Sequence, residues 1–311
     1  GQKSPHRTAN SHGQINGEKM TPIKHTVFGF GLLIIGWVCF TQTAVHAKNR
    51  HTYFGTLQES LIKDGFDKNI IIKLYSNPKV YFETKKASGF LSHRESVLNY
   101  DQFTLPKNIR NSRKYMAKHK PDLLKAERIY GVNQEIITAI ILIETRLGKI
   151  LGGPSVLNML STLASLKDPD VRNMFWDKVS KSTEFTKKKF QIWAQRKSKW
   201  AYNELKAFLT YTAREKMDPV RIYGSYAGAM GIAQFMPSNI LAFAKDGNND
   251  GRVDLFNHAD AITSIASYLK HYGWHSGITK KGMYDVIYHY NHSRQYVDAV
   301  LKVAALLKPK T

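Results

Sequence analysis

The chain has 311 residues, 42% of them hydrophobic and 12% aromatic, with a formal net charge of +22 and a single cysteine. That apolar content excludes a disordered chain, and one cysteine excludes an intrachain disulfide framework or a thiolate metal site. The charge favours polyanionic partners without choosing among them, and no nucleic-acid-binding motif accompanies it, so no nucleic-acid partner is expected.

Residues 1–19 are polar and aperiodic and read as a leader remnant. Residues 20–47 have the order of an export signal: Lys24 and His25, the apolar run Val27–Phe40, then small and polar residues up to Ala47. Cleavage near Ala47 and a periplasmic location are expected. The alternative is a retained inner-membrane anchor, because residues 26–47 hold no formal charge and could just span a bilayer. Cys39 lacks the small preceding residue that lipidation requires.

Residues 48–118 mix short helical patterns with the breakers Gly55, Gly65, Asn77-Pro78, Gly89 and Pro106, and read as a helical N-terminal region. From 119 to 311 the helical period is stronger. It predicts helices over Asp122–Tyr130, from Asn133 to Arg146, Pro154–Leu166, Asp170–Val179, Glu184–Thr212, Ser238–Ala244, Ala259–Tyr272 and Tyr284–Leu307. Strand signals are few, so the fold class is mostly α.

The helix after Asn133 is apolar on nearly every face and is therefore expected to be buried. Glu144 follows Ile140 and Ile141 by one turn and shares their face. Lost hydration favours a neutral carboxyl there, which is what a general acid needs. The alternatives are pairing with Arg146 or simple capping of the helix end.

Gly224–Ser238 holds three glycines, with Ser225 and Gln234 isolated among apolar residues. It reads as a cleft wall with a few aimed hydrogen bonds, or else as a tightly packed helix junction. Residues 246–260 then open like a calcium loop. Asp246, Asn248 and Asp250 offer side-chain oxygens, Gly251 makes the turn and Arg252 offers its carbonyl. Position twelve is Asn257, and Asp260 is the displaced candidate for the last carboxylate. A plain Asn/Asp/Gly turn is the alternative. Tyr288–Tyr296 gathers aromatics and amides suited to sugar rings, or to a helix start. The pairs His271/His275 and His289/His292 lack a third metal ligand and read as ordinary histidines.

Taken in order, Ile143-Glu144-Thr145-Arg146-Leu147-Gly148, Gly224–Gly231 with Gln234–Ser238, the Asp-rich loop through Asp260, and Tyr290-Asn291 with Tyr296 resemble the lytic murein transglycosylase B family. The match covers roughly residues 120–305. It implies a lysozyme-like (SLT-type) catalytic domain with extra helices, an EF-hand-like loop holding a structural calcium ion, and no cofactor for the chemistry. It implies a monomeric enzyme acting on peptidoglycan glycan strands at the bond between N-acetylmuramic acid and N-acetylglucosamine. Glu144 takes the family's acid-then-base role, and the sugar's own C6 hydroxyl closes a 1,6-anhydro ring; the alternatives are a hydrolytic muramidase on the same fold or a non-catalytic peptidoglycan-binding protein. Ser225, Gln234, Tyr290, Asn291 and Tyr296 would line the sugar subsites, with Tyr268 a further candidate. Where the family carries Arg-Arg and a tyrosine, this chain has Asp170-Val171 and a stretch with Arg172, Phe175 and Trp176.

Overall fold

The computed structural model describes residues 53–92 and 99–309. The expected leader, signal and anchor segments lie outside the described residues. Within them no helix is long and apolar enough to cross a membrane.

Thirteen α-helices are described. α1 (53–63), α2 (Lys68–Ser76) and α3 (Thr84–Ser92) form the N-terminal part, and a 3-10 turn at Tyr100–Thr104 leads into α4 (Pro106–Lys118). Next come α5 (Lys120–Tyr130), α6 (Gln134–Thr145), α7 (Val156–Ser165), α8 (Pro169–Val179) and the long α9 (Lys187–Arg214). α10 (Pro237–Phe243), α11 (His258–His271), α12 (Lys280–Tyr290) and α13 (Arg294–Leu307) complete the order. Among the described residues the only extended pairings are isolated bridges, Ser155 with Tyr223, Gly224 with Met230, and Met230 with Phe235.

α6 is the hub. Ile136, Ile137, Ala139, Ile140, Ile141 and Leu142 are all buried, each side chain contributing roughly 1.5–3 kcal/mol where it is large and aliphatic. The helix packs against α4, α5, α11 and α13. A run this rich in β-branched residues has only modest helical propensity, so tertiary burial holds it helical. α7 and α9 form the second layer, with α8 and α10 against α9. Phe54, Leu61, Ile71 and Tyr75 from α1 and α2 join the same hydrophobic core, and the Tyr75 hydroxyl meets Ser161 of α7 at 2.8 Å.

The largest departure from the expected elements is at the C-terminus. Tyr284–Leu307 is not one helix. α12 starts earlier, at Lys280, and stops at Tyr290; Asn291 is extended (φ −145°, ψ 122°); Ser293 then caps α13, its hydroxyl accepting from Tyr296 N–H. The apolar period runs on through the break, which hides it. The capping serine was the available signal.

Candidate active site

α6 ends one residue past Glu144. Arg146, Leu147 and Gly148 follow with φ of 52°, 64° and 81°, so the backbone turns sharply and presents the last turn at a surface. Two consecutive non-glycine residues in the left-handed region carry strain, which is common where geometry serves function. Buried Thr145 fixes the turn. Its hydroxyl donates to Ile232 O at 3.0 Å and accepts from Gly148 N–H at 3.1 Å. The catalytic candidate is thereby joined to the glycine-rich segment. The Arg146 guanidinium lies over the Phe103 ring at 4.6 Å and is bonded to the Gln102 side chain.

Glu144 is half-buried. The Tyr296 hydroxyl donates to its Oε1 at 2.7 Å. Tyr290 and Tyr296 stand on either side of the helix break, their rings parallel (6°) with centroids 6.4 Å apart. Burial, and then the charge of Glu144, push both phenols well above their ordinary range. Both hydroxyls therefore stay protonated and available as donors at any working pH. Tyr290 spends its proton on Ala233 O, a second tie between the C-terminal helices and the glycine-rich wall.

That wall is a compact hairpin-like turn. Met230 and Phe235 exchange backbone hydrogen bonds of 3.0 and 3.2 Å, and Ser225 N–H donates to Ala229 O at 2.8 Å. The Ser225 hydroxyl accepts from Ala227 and Ala229 N–H, at 3.2 and 3.0 Å, leaving its own proton to donate. Gln234 has φ 49°, and its side-chain nitrogen donates to Gly231 O at 2.9 Å and Leu151 O at 3.3 Å. Asn291 is half-buried at the break. Tyr268 packs against Tyr290. It is 4% exposed, its ring edge-on to Tyr290 at 5.1 Å and its hydroxyl donating to His289 O at 2.7 Å. So enclosed, the side chain braces the Tyr290-Asn291 segment.

The 246–260 loop has the donor chemistry of a calcium loop without its closed form. Asp246 accepts from Asp250 and Gly251 N–H, Asn248 and Asp250 cap each other and Arg252 N–H, and these side-chain oxygens face the loop's own amides. Asp260, fully buried at the start of α11, accepts from Gly247, Asn248 and Asp254 N–H. Its pKa is raised chiefly by burial, with the Asp246 charge adding to the effect. Among the described residues no three His, Cys, Asp or Glu side chains are gathered closely enough to hold an ion. The hard oxygen donors fit calcium in kind and order, and closing the loop would trade amide bonds for the ion.

Several residues that matter here carried no sequence signal. Tyr100 sets its ring perpendicular to Tyr296, centroids 6.3 Å apart. Glu204, 7% exposed within α9, caps α10 in place of a local side chain, accepting from Ser238 N–H at 2.9 Å and from its hydroxyl at 2.8 Å. Only tertiary contact reveals either.

A carboxylate at a strained helix end, bonded by a buried phenol and joined through Thr145 to a glycine-rich segment, sits on a helical framework without a sheet among the described residues, as in the lysozyme-like transglycosylases. The chain belongs to the transglycosylase SLT domain family, whose model matches residues 49–283. It is 30% identical over 233 residues to the membrane-bound lytic murein transglycosylase B of Escherichia coli K12, an alignment covering 74% of this chain and 55% of that protein. The chain thus spans about half the length of that curated relative. Its fold is shared with the E. coli lytic transglycosylase Slt35 solved in complex with calcium (TM-score 0.65, 23% identity, 83% of this chain and 92% of that one). It is shared also with SltB3 of Pseudomonas aeruginosa in complex with NAG-NAM-pentapeptide (TM-score 0.66, 19% identity, 83% and 79%). The helical, SLT-type fold read from the sequence is borne out.

Proposed function

We propose that the chain is a lytic transglycosylase of the bacterial cell wall. It cleaves the β-1,4 bond between N-acetylmuramic acid and N-acetylglucosamine and leaves 1,6-anhydro ends. The observation that carries this reading is the 2.7 Å hydrogen bond from Tyr296 to Glu144 at the strained end of α6, within a family whose model spans most of the chain.

In this reading Glu144 first donates its proton to the glycosidic oxygen as the bond to the anomeric carbon breaks. The carboxylate that remains is held in place by Tyr296, which cannot give up its own proton. It then takes the proton of the C6 hydroxyl as that oxygen bonds to the anomeric carbon. Donor and acceptor are the same group, so one carboxylate serves where ordinary glycosidases use two. Ser225, Gln234, Tyr290 and Asn291 position the sugars. Export to the periplasm, and inner-membrane attachment if residues 26–47 are retained, complete the proposal. Purified sacculi incubated with the chain should release soluble fragments ending in anhydromuramic acid; fragments heavier by one water would reject the transglycosylase chemistry in favour of hydrolysis.

Tyr296→Phe tests the hydrogen bond. A bond to a charged group contributes about 1.5–3 kcal/mol, so kcat should fall about ten- to hundredfold with KM little changed. An unaltered kcat would remove Tyr296 from the mechanism.

Calcium would be held by Asp246, Asn248, Asp250, the Arg252 carbonyl and Asp260, and would supply rigidity only. The loop's exit is already tied to α9, through Tyr211 to Val253 O at 2.9 Å and Glu215 to Val253 N–H at 3.0 Å. An ion present at a hundred times its dissociation constant stabilises the native state by about 2.7 kcal/mol. The melting temperature should therefore rise by several degrees with calcium, and Asp246→Asn with Asp250→Asn should abolish the rise. A melting curve indifferent to calcium and to chelator would reject the site.

A further inference from the structure

Among the described residues most large aromatic side chains are buried or partly buried, yet Tyr81, Tyr223 and Tyr226 are 45%, 49% and 49% exposed. Singly exposed aromatics call for no explanation. Tyr81 and Tyr223 are different, because both are fixed to one structural point, the first turn of α7. Tyr81 N–H donates to Asn158 Oδ1 at 3.3 Å, and Asn158 N–H donates to the Ser155 hydroxyl at 3.3 Å. Ser155 pairs with Tyr223, while Val156 N–H donates to Ile222 O and Gly224 N–H to Pro154 O, at 3.0 and 2.9 Å. The Tyr81 hydroxyl is anchored on Glu83 at 3.1 Å. Two rings are thus held by rigid backbone with much of their surface in solvent.

They also stand at the end of a continuous wall. From Glu144 it passes through Thr145 to Ile232, through Gln234 to Gly231 and Leu151, and through Gly224 and Ser225 to Tyr223. Lys86, its ammonium 3.5 Å from Gly153 O, and Glu83 border the far end with hydrogen-bonding groups. Fixed aromatic rings with polar neighbours suit the C–H faces and hydroxyls of pyranose rings, and fixed rings bind at little entropic cost.

We propose that Tyr81 and Tyr223 form an outlying sugar platform, which takes pyranose rings of the same glycan strand beyond those at Glu144 and makes the protein favour long strands. This rests on the reading of the chain as a glycan-cleaving enzyme.

The test compares peptide-free glycan strands of many disaccharides with a NAG-NAM tetrasaccharide, for the full chain and its Tyr81→Ala/Tyr223→Ala variant, with Tyr81→Phe/Tyr223→Phe as the conservative control. Melting curves check that the variants fold. The ratio of kcat/KM for long strands to that for the tetrasaccharide should fall about tenfold in the alanine variant and be kept in the phenylalanine variant, which retains the rings. An unchanged ratio in the alanine variant would overturn the platform while leaving the enzymatic reading intact. Should the unaltered chain cleave neither substrate, the enzymatic reading fails. Binding of long strands, measured by co-sedimentation with both tyrosine pairs, then decides the platform alone: a loss in the alanine variant supports it, and equal binding rejects it.

Discussion

Glu144→Gln should abolish glycan cleavage while leaving the fold intact. The amide keeps the shape and can still accept from Tyr296, whose hydroxyl lies 2.7 Å from Oε1, but it can neither give a proton to a leaving oxygen nor take one from a sugar hydroxyl. General acid catalysis alone contributes typically 10²–10⁴-fold. Because one group is asked to act twice, the loss should be at least about a thousandfold in kcat, or roughly 4 kcal/mol of transition-state stabilisation. The side chain is only half-buried, so the melting temperature should change little. Steady-state release of soluble fragments from sacculi measures the first quantity and a thermal melt the second. Retained turnover would take Glu144 out of the chemistry. Lost turnover with a collapsed melt would make it a structural residue.

Gly152→Ala should give the largest loss of stability from a single methyl group. Gly152 has φ 101°, a region that L-residues enter at a cost of roughly 1–2 kcal/mol. An added Cβ would also lie 2.1 Å from Gly224 O. That neighbour is backbone, pinned by Gly224 N–H to Pro154 O at 2.9 Å, and cannot step aside as a flexible side chain could. Strain and overpacking together should cost roughly 2–5 kcal/mol, lowering the melting temperature by about 5–15 °C for a unit of this size. Activity should fall further than stability, because the seam between Leu151–Gly153 and Gly224 seats Gln234 and Ser225. A thermal melt within a degree or two of the unaltered chain would show that the seam relaxes more easily than its geometry implies.

The helices were legible wherever burial and period coincide. α6 lies between an asparagine and a glycine, is apolar on nearly every face, and appears within one residue of its expected end. The wall was legible as a run of glycines because close backbone packing leaves that mark in composition. What could not be read is what depends on distance in space. The break at Asn291 brings Tyr290 and Tyr296 face to face, but the apolar period continues through it. Tyr268 came with the family resemblance as a further candidate beside the sugars; that Phe235, Phe243 and Tyr290 pack around it is a matter of tertiary contact that no local pattern carries. Gly152, Tyr100 and Glu204 lie 8, 44 and 60 residues from Glu144, and nothing local distinguishes them from other glycines, tyrosines and surface-helix glutamates. The oxygen-donor order of residues 246–260 was legible, since it is a property of sequence; whether those oxygens close on an ion is a property of conformation.

In the proposed mechanism Glu144 passes one proton out and one proton in, with the substrate's own C6 hydroxyl as nucleophile and water excluded from the bond-forming step. Digestion of purified peptidoglycan in oxygen-18 water tests it directly, with the new muramic ends read by mass spectrometry. Ring closure predicts ends that carry no heavy oxygen. Heavy oxygen at those ends would show that water attacks the anomeric carbon, and would rule out ring closure by the C6 hydroxyl.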